Sequence, residues 1–335
     1  MKVFIQVFIP ECPDFIMASC QCSNSQMDTF IMQSFYASLN AAELLEVSGE
    51  DSRKFLQGQL TCELDKIPVG SMSFGAACNN KGRVYSNFRI LHQENRFLLS
   101  MQPGILTITM QALQKYIPFY KADMADASGQ FNRIALAGDD AAELLKGISP
   151  ALPEKNQSAN IEGALLINIS DHCPRYELWL KPGQDHPFDQ ILATLARKEK
   201  TAWDALDHEA GIVFIHPQES SLYTPEELNL DLAGFVSFSK GCYTGQEIVA
   251  RMHYRGKANK RLHTVTLESP ETPTDNVLYN SSQKALGSVI NLLNIKDNIY
   301  NGFVVIKTGT DLRERFWLGD QKDEIAAEIR PLQYQ

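Results

Sequence analysis

"LEVSGEDSRKFLQGQ", Leu45 to Gln59, and "IALAGDDAAELLKGI", Ile134 to Ile148, share one pattern: alternating apolar residues, a glycine, an acid, an aspartate, and then a helix-like run. Each reads as strand, tight turn and short helix. Gly49 and Gly138 suit the turn, acids at the helix start suit its dipole, and Gly58 and Gly147 are expected to end the helices. The likeness continues downstream. "GRVYSNFRILHQENRFLLSMQPG" from Gly82 and "GALLINISDHCPRYELWLKPG" from Gly163 each give two strand-like runs, a polar turn and a Pro-Gly, and a helical segment with apolar residues near three- and four-residue spacing follows in both. Chance similarity of generic α+β segments is the alternative. The recurrence of turn, helix and hairpin in one order favours a duplicated unit of about 80 to 90 residues.

Outside the repeats the pattern changes. Past Thr201, "AWDALDHEAGIVFI" opens as a helix, "TPEELNLDLAGFVSF" is loop-rich, and beyond Lys260 the runs "LHTVTLE", "ALGSVINLL" and "GFVVIKTG" are β-rich and separated by turn residues. The expected organisation is a variable extension at 1–30, a first α+β domain at 31–128 and a second at 129–202. A return segment at 203–257 and a C-terminal β-barrel at 258–335 complete it.

The 335 residues, 44% hydrophobic and 21% charged, fall in the globular range. A net charge of −9 argues against broad nucleic-acid attachment, which needs a positive footprint. Seven scattered cysteines show no paired spacing for zinc, so no metal site is expected and a reduced, cytoplasmic setting fits. The opening "MKVFIQVFIPECPDF" is interrupted by proline and acid before a signal core forms, and no stretch is long enough to span a bilayer.

The stretch "KGCYTGQE", Lys240 to Glu247, places a cysteine between two glycines. Thr244 and Glu247 have the spacing of a capping box, so a helix is expected to begin around Gly245, with Glu247 and Arg251 on one face. Cys242 then lies upstream of a helix N-terminus and close to Lys240, both of which favour a thiolate. A nucleophile, a metal ligand, a redox thiol, and a small buried residue in a tight turn all remain open for it.

"KGCYTGQEIVAR" with the preceding "NLDLAGFVSFS" resembles the signature of the YgfZ family, folate-binding proteins related in fold to the aminomethyltransferase of the glycine cleavage system. "FLQGQLTCELDKI", "CNNKGRVYSNFRIL", "WDALDHEAG" and "RGKANKRL" resemble further segments of that family in the same order, over about residues 40 to 265. The resemblance implies an aminomethyltransferase-like fold: two related α+β domains and a C-terminal β-barrel around a folate site. It also implies a tetrahydrofolate-dependent accessory factor for iron–sulfur cluster assembly or repair. Such a factor binds tetrahydrofolate or a one-carbon-substituted folate, meets iron–sulfur proteins or their assembly machinery, and supports tRNA thiomethylation without binding nucleic acid directly.

On that resemblance Cys242 is the candidate reactive thiol, with Lys240, Gly241, Tyr243, Thr244, Gly245, Gln246, Glu247 and Arg251 as motif support. Trp203 is the candidate wall and Glu209 the candidate carboxylate for a pterin edge, which needs a flat apolar face and an acceptor. Asn79 and Asn80 are candidate polar contacts from the turn at Cys78, although an ordinary Asn-rich turn explains them as well.

Three departures bear on activity. Aminomethyltransferases carry adjacent aspartates where Ser86 and Asn87 stand here, so no glycine-cleavage activity is expected. Asp207 stands where relatives often have arginine, which removes a cation expected to attract the folate tail. The run Arg251, Arg255, Lys257, Lys260 and Arg261 is either the compensation or a solvated basic linker. His253 in that run is expected at the surface, and His92, His172, His208, His216 and His263 at the surface or in structural hydrogen bonds. Two other functions compete: a folate-dependent one-carbon transferase or demethylase, and a cysteine hydrolase using Cys242.

Overall fold

The computed structural model describes residues 33–170, 172–255, 258–319 and 325–334. The expected extension at 1–30 and Lys257 lie outside them. Among the described residues no helix is long and apolar enough to cross a membrane.

The first repeat comprises β2 (Glu43–Ser48), α1 (Ser52–Gln57), β3 (Met72–Cys78), β4 (Val84–Gln93), β5 (Arg96–Met101) and α2 (Ile105–Leu113). The second repeats that order as β7 (Asn132–Ala137), α3 (Asp139–Ile148), β8 (Ser158–Ile161), β9 (Ala164–Asn168), β10 (Arg175–Leu180) and α4 (Asp189–Thr194). A short strand precedes each repeat, β1 (Phe35–Ser38) and β6 (Asp123–Asp126), and β11 (Ala196–Arg197) follows the second. One sheet runs β3-β4-β5-β2-β6 and the other β11-β1-β7-β10-β9-β8.

Set side by side, the sheets reveal an exchange. β6, the strand that leads into the second repeat, pairs antiparallel with β2, with Val47 opposite Met124. β1, which leads into the first repeat, pairs antiparallel with β7, with Tyr36 opposite Leu136. Residues 35–38, read from sequence with the first unit, therefore hydrogen-bond into the other sheet. Pairing across the repeats ties the two sheets together through backbone hydrogen bonds.

The turn glycines behave as expected at Gly49 and Gly138, with φ of 105° and 101°. A Cβ on Gly49 would stand 2.5 Å from the Lys121 carbonyl oxygen, so both the turn and the neighbouring chain require glycine. Gly147 differs from expectation. It lies inside α3, which ends at Ile148 with Ser149 as its C-cap, whereas Gly58 does cap α1.

β4 is buried along nearly its whole length, including Phe88 and Ile90 at 0% exposure, so it lacks the alternation of a half-exposed strand. Each such side chain contributes about 1.5–3 kcal/mol through removal from water. The C-terminal strands β12 (Lys260–Glu268), β13 (Val277–Asn280), β14 (Ala285–Lys296), β15 (Ile299–Lys307), β16 (Phe316–Leu318) and β17 (Ile325–Pro331) close into a barrel in the order β12-β15-β14-β13-β16-β17. Val265, Leu278, Val304, Ile306 and Leu318 fill it.

Between repeats and barrel lie α5 (Lys200–Glu209), a largely loop segment, and α6 (Gln246–Arg255). α5 packs against β1 on one side and against β14 and β15 of the barrel on another, with the His208 ring 4.3 Å from that of Phe303. It thus touches the second sheet and the barrel, and through Asp207 it also meets Arg89 on β4 of the first sheet.

Candidate functional site

Where the sheets meet, a cavity of about 490 Å³ is walled by both repeats, the return segment and the chain's last residues. Phe74 and Arg89 come from the first sheet, Arg175 from the second, Glu209 from the end of α5, Leu232 from the return segment and Tyr334 from the tail. A second cavity of about 530 Å³ shares Ser73, Lys155, Asn156 and Gly234 with it, and continues past Cys62 and Ser237.

The charged floor of the first cavity is a buried cluster that the sequence did not announce. Asp207 Oδ1 accepts a hydrogen bond from Arg89 Nη2 and one from Arg175 Nη2, each at 2.6 Å. Burial alone would push the Asp207 carboxyl up, but the two guanidiniums outweigh it and hold it at about 2. Asp207, read from the sequence only as the loss of a cation, also holds two guanidiniums through one carboxylate oxygen. Glu177 stands 3.7 Å from Arg89 Nη1 and accepts from the Trp179 indole at 2.9 Å. The Nε atoms of Arg89 and Arg175 are buried without a hydrogen-bond partner. Arg89 also lies over the rings of Phe214, at 4.8 Å, and Phe74, at 5.7 Å.

Glu209 lines the cavity, with its side chain 62% exposed and an oxygen 3.3 Å from His172 Nε2. Trp203 does not. It is 1% exposed on the inner face of α5, beneath the Arg175 guanidinium at 4.3 Å, and lines a separate small void of about 30 Å³. Phe74, Ile212, Leu232 and Tyr334 supply the apolar wall in its place.

Asn79 is also committed elsewhere. Its Oδ1 accepts from the backbone N–H groups of Lys81, at 2.9 Å, and Arg83, at 3.1 Å, closing its own turn. Asn80 is exposed, and neither residue lines the two cavities. Against this turn the signature motif docks. Gly245, at φ 84°, leaves no room for a Cβ beside the Asn79 carbonyl oxygen, and a Cβ on Gly82 would stand 3.0 Å from Ile248. Two motifs far apart in sequence thus touch backbone to backbone.

Lys240 is 6% exposed, and its ammonium donates to three carbonyls: Gln57 at 2.8 Å, Leu60 at 2.6 Å and Cys62 at 2.8 Å. Burial lowers it to about 8, so it stays charged at neutral pH. All three of its N–H donors are taken by carbonyls, so none is left to hydrogen-bond the Cys242 sulfur. The capping box does not form either: the Thr244 hydroxyl donates to Gln59 Oε1 at 3.0 Å. α6 does start where expected, at Gln246.

Cys242 is exposed, and it lines neither cavity. Cys62 and Cys78, by contrast, are buried, and desolvation pushes each thiol up to about 12, which keeps both protonated. Asn87 is 1% exposed, donates to the Val213 carbonyl at 2.7 Å and accepts from the Ile215 N–H at 2.9 Å. Its amide fixes residues 213–215 in the segment after α5, and Ser86 beside it is buried. Neither position presents a carboxylate. Arg261 pairs with Asp231 at 2.6 Å rather than joining a free basic run.

His92, His208, His216 and His263 are wholly or partly buried. His92 is buried against Phe97 with Nδ1 2.9 Å from the Ile67 carbonyl, and burial lowers His208 to about 4. Burial also lowers His216 and His263, while His172 and His253 are exposed.

Residues 38–161 match the family model described as the GCVT N-terminal domain. The chain is 33% identical over 222 residues to the tRNA-modifying protein YgfZ of Edwardsiella ictaluri, an alignment covering 65% of this chain and 66% of that protein, just under two thirds of its length. It is 30% identical over 241 residues to the protein of the same name from Colwellia psychrerythraea, covering 71% and 74%. The glycine cleavage system aminomethyltransferase T from Bartonella henselae superposes with a TM-score of 0.70 at 14% identity, over 90% of this chain and 86% of that one. That likeness shows the fold: an aminomethyltransferase-like α+β architecture with a C-terminal barrel.

Proposed function

The chain belongs to the YgfZ family, and from that premise we propose that it binds a reduced folate in the cavity between its two repeats and acts as an accessory factor in tRNA modification. One observation carries the reading. A cavity of about 490 Å³, within the usual range of ligand pockets, is bordered by a carboxylate at Glu209 and by two arginines whose buried Nε atoms lack partners. Orphaned buried donors are costly unless a ligand or water meets them.

The residues present fit such a ligand. The Glu209 carboxylate accepts from the amino and N3–H donors of a pterin edge, and Phe74, Ile212, Leu232 and Tyr334 face its apolar ring. Arg89 and Arg175 meet acceptor atoms or the negative charge of the glutamate tail. Trp203 acts one layer back, by holding the Arg175 plane. Bound tetrahydrofolate or a one-carbon-substituted folate supplies nitrogens that carry or accept a one-carbon unit.

The finer reading is a role in iron–sulfur cluster assembly or repair, with client enzymes that thiomethylate tRNA, and with Cys242 as the reactive thiol. Its support is the signature motif and the exposure of that sulfur. The cluster is cargo, since one thiolate holds it only together with ligands from a partner. The one-carbon transferase reading finds no carboxylate at Ser86 or Asn87, and the Asn87 amide is committed to backbone.

Calorimetric titration with tetrahydrofolate tests the proposal. Glu209→Ala is expected to weaken binding by about tenfold or more, the worth of one charge-assisted contact, with an unchanged melting temperature. Equal affinity in the variant overturns the assignment of Glu209, and absence of saturable binding overturns the folate role. Full complementation of a deletion strain by Cys242→Ala contradicts the thiol role.

A further inference from the structure

Glu226 lies in the return segment, 3% exposed, and its Oε2 is buried without a hydrogen-bond partner among the described residues. One ligand atom from each of Glu226, Asp231 on the same segment and His253 on α6 lies within 4.8 Å of the other two. The surrounding charges do not satisfy Glu226. Arg261 has both ends committed to Asp231, at 2.6 and 2.9 Å, and gives Glu226 only a hydrogen bond to its backbone carbonyl at 3.1 Å. Neighbouring Glu227 is held by Arg83 at 2.8 Å and by the Thr224 N–H at 2.9 Å. Two carboxylates therefore face one guanidinium, and a buried oxygen is left open.

The imidazole is positioned rather than loose. The His253 ring stacks on Phe238 at 3.6 Å and 14°, and Tyr254 meets it edge-on at 5.0 Å. Its outer face is exposed. We propose that Glu226, Asp231 and His253 form a binding site for a first-row divalent transition-metal ion. A mixed imidazole and carboxylate set suits zinc, manganese or iron(II) rather than magnesium or calcium, which prefer oxygen alone, and it lacks the thiolates that select copper(I).

Asp231 has lone pairs beyond those taken by Arg261, so the arginine serves as the outer partner that orients it. Donors around a zinc ion at about 2.0–2.1 Å stand within about 4.2 Å of one another, and the three candidate atoms lie within 4.8 Å of one another. Three protein donors leave a coordination position for water or a partner's ligand. The ion would tie α6 of the signature motif to the segment that carries Leu232 and Gly234 into the cavity wall. The sequence had pointed the other way, to His253 as plain surface.

Cobalt(II) titration of the full chain, followed by visible absorption, provides the test because its spectrum separates nitrogen and oxygen donors from thiolates. The expected result is a saturable one-to-one band without thiolate charge transfer. His253→Ala and Glu226→Gln should each weaken binding at least tenfold, and Cys242→Ser should leave it unchanged. His253 is exposed, so a metal-free melting temperature equal to that of the wild type establishes that its variant is folded. No saturable band, a band with thiolate character, or equal affinity in both variants overturns the site.

Discussion

Lys240 and the Arg89–Arg175 pair are both buried cations, yet they are satisfied in opposite ways. Lys240 gives all three donors to carbonyls of the α1 end and the loop after it. It pins the signature loop to the first repeat and has nothing left for a ligand. The arginines share one oxygen of Asp207 and line the cavity, and their buried Nε donors are unmatched. A closed set of hydrogen bonds marks scaffold, and an incomplete one beside a cavity marks a place for a ligand.

The largest effect that could break this contrast is at Asp207. Asp207→Asn leaves two guanidiniums buried against each other, and chemical denaturation should show a loss of about 3–5 kcal/mol. Lys240→Met should cost about 3 kcal/mol, because it orphans three carbonyls of which two lie deep in the fold. If Lys240 instead acted chiefly on Cys242, stability would be unchanged and only thiol reactivity would fall.

Acid sharpens the same contrast. The folded pKa of His208, about 4, lies below the ordinary imidazole value of 6.5, so the unfolded chain takes up the proton first as pH falls. Its contribution is whole above about 6.5 and is lost toward about 4, at most about 3 kcal/mol. Asp207, held at about 2 against 3.8, loses its contribution in the next window down. Denaturation across pH 7 to 4 should show the first loss, and His208→Gln should flatten it. The smallest effect is at the exposed sulfur: Cys242→Ser should change stability by no more than about 0.5 kcal/mol, measured by thermal melting.

Much of the fold was legible because it is local. Alternation and the turn glycines at Gly49 and Gly138 exposed the duplicated strand, turn and helix, and β-branched runs exposed the barrel. The crossing of β1 into the second sheet was not legible, since a four-residue strand carries no sign of which sheet it joins. Glu209, singled out through its motif, lines the cavity between the repeats, and the signature motif docks against the turn at Asn79. Trp203, Asn79 and Lys240 were misplaced for one reason: each is satisfied by groups that chain topology brings close, and residue spacing does not encode them. Lys240 reaches carbonyls about 180 residues earlier in the chain. The Arg89–Asp207–Arg175 cluster draws one residue from each of three segments, so no local pattern announces it.

A crystal structure of the protein with a stable reduced folate bound, such as the 5-formyl form, tests the central claim most directly. The expected result is a pterin in the cavity between the repeats, its amino edge on Glu209 and acceptor atoms within reach of Arg89 or Arg175. A ligand seated elsewhere, with Glu209 untouched and both Nε atoms still unmatched, would contradict it.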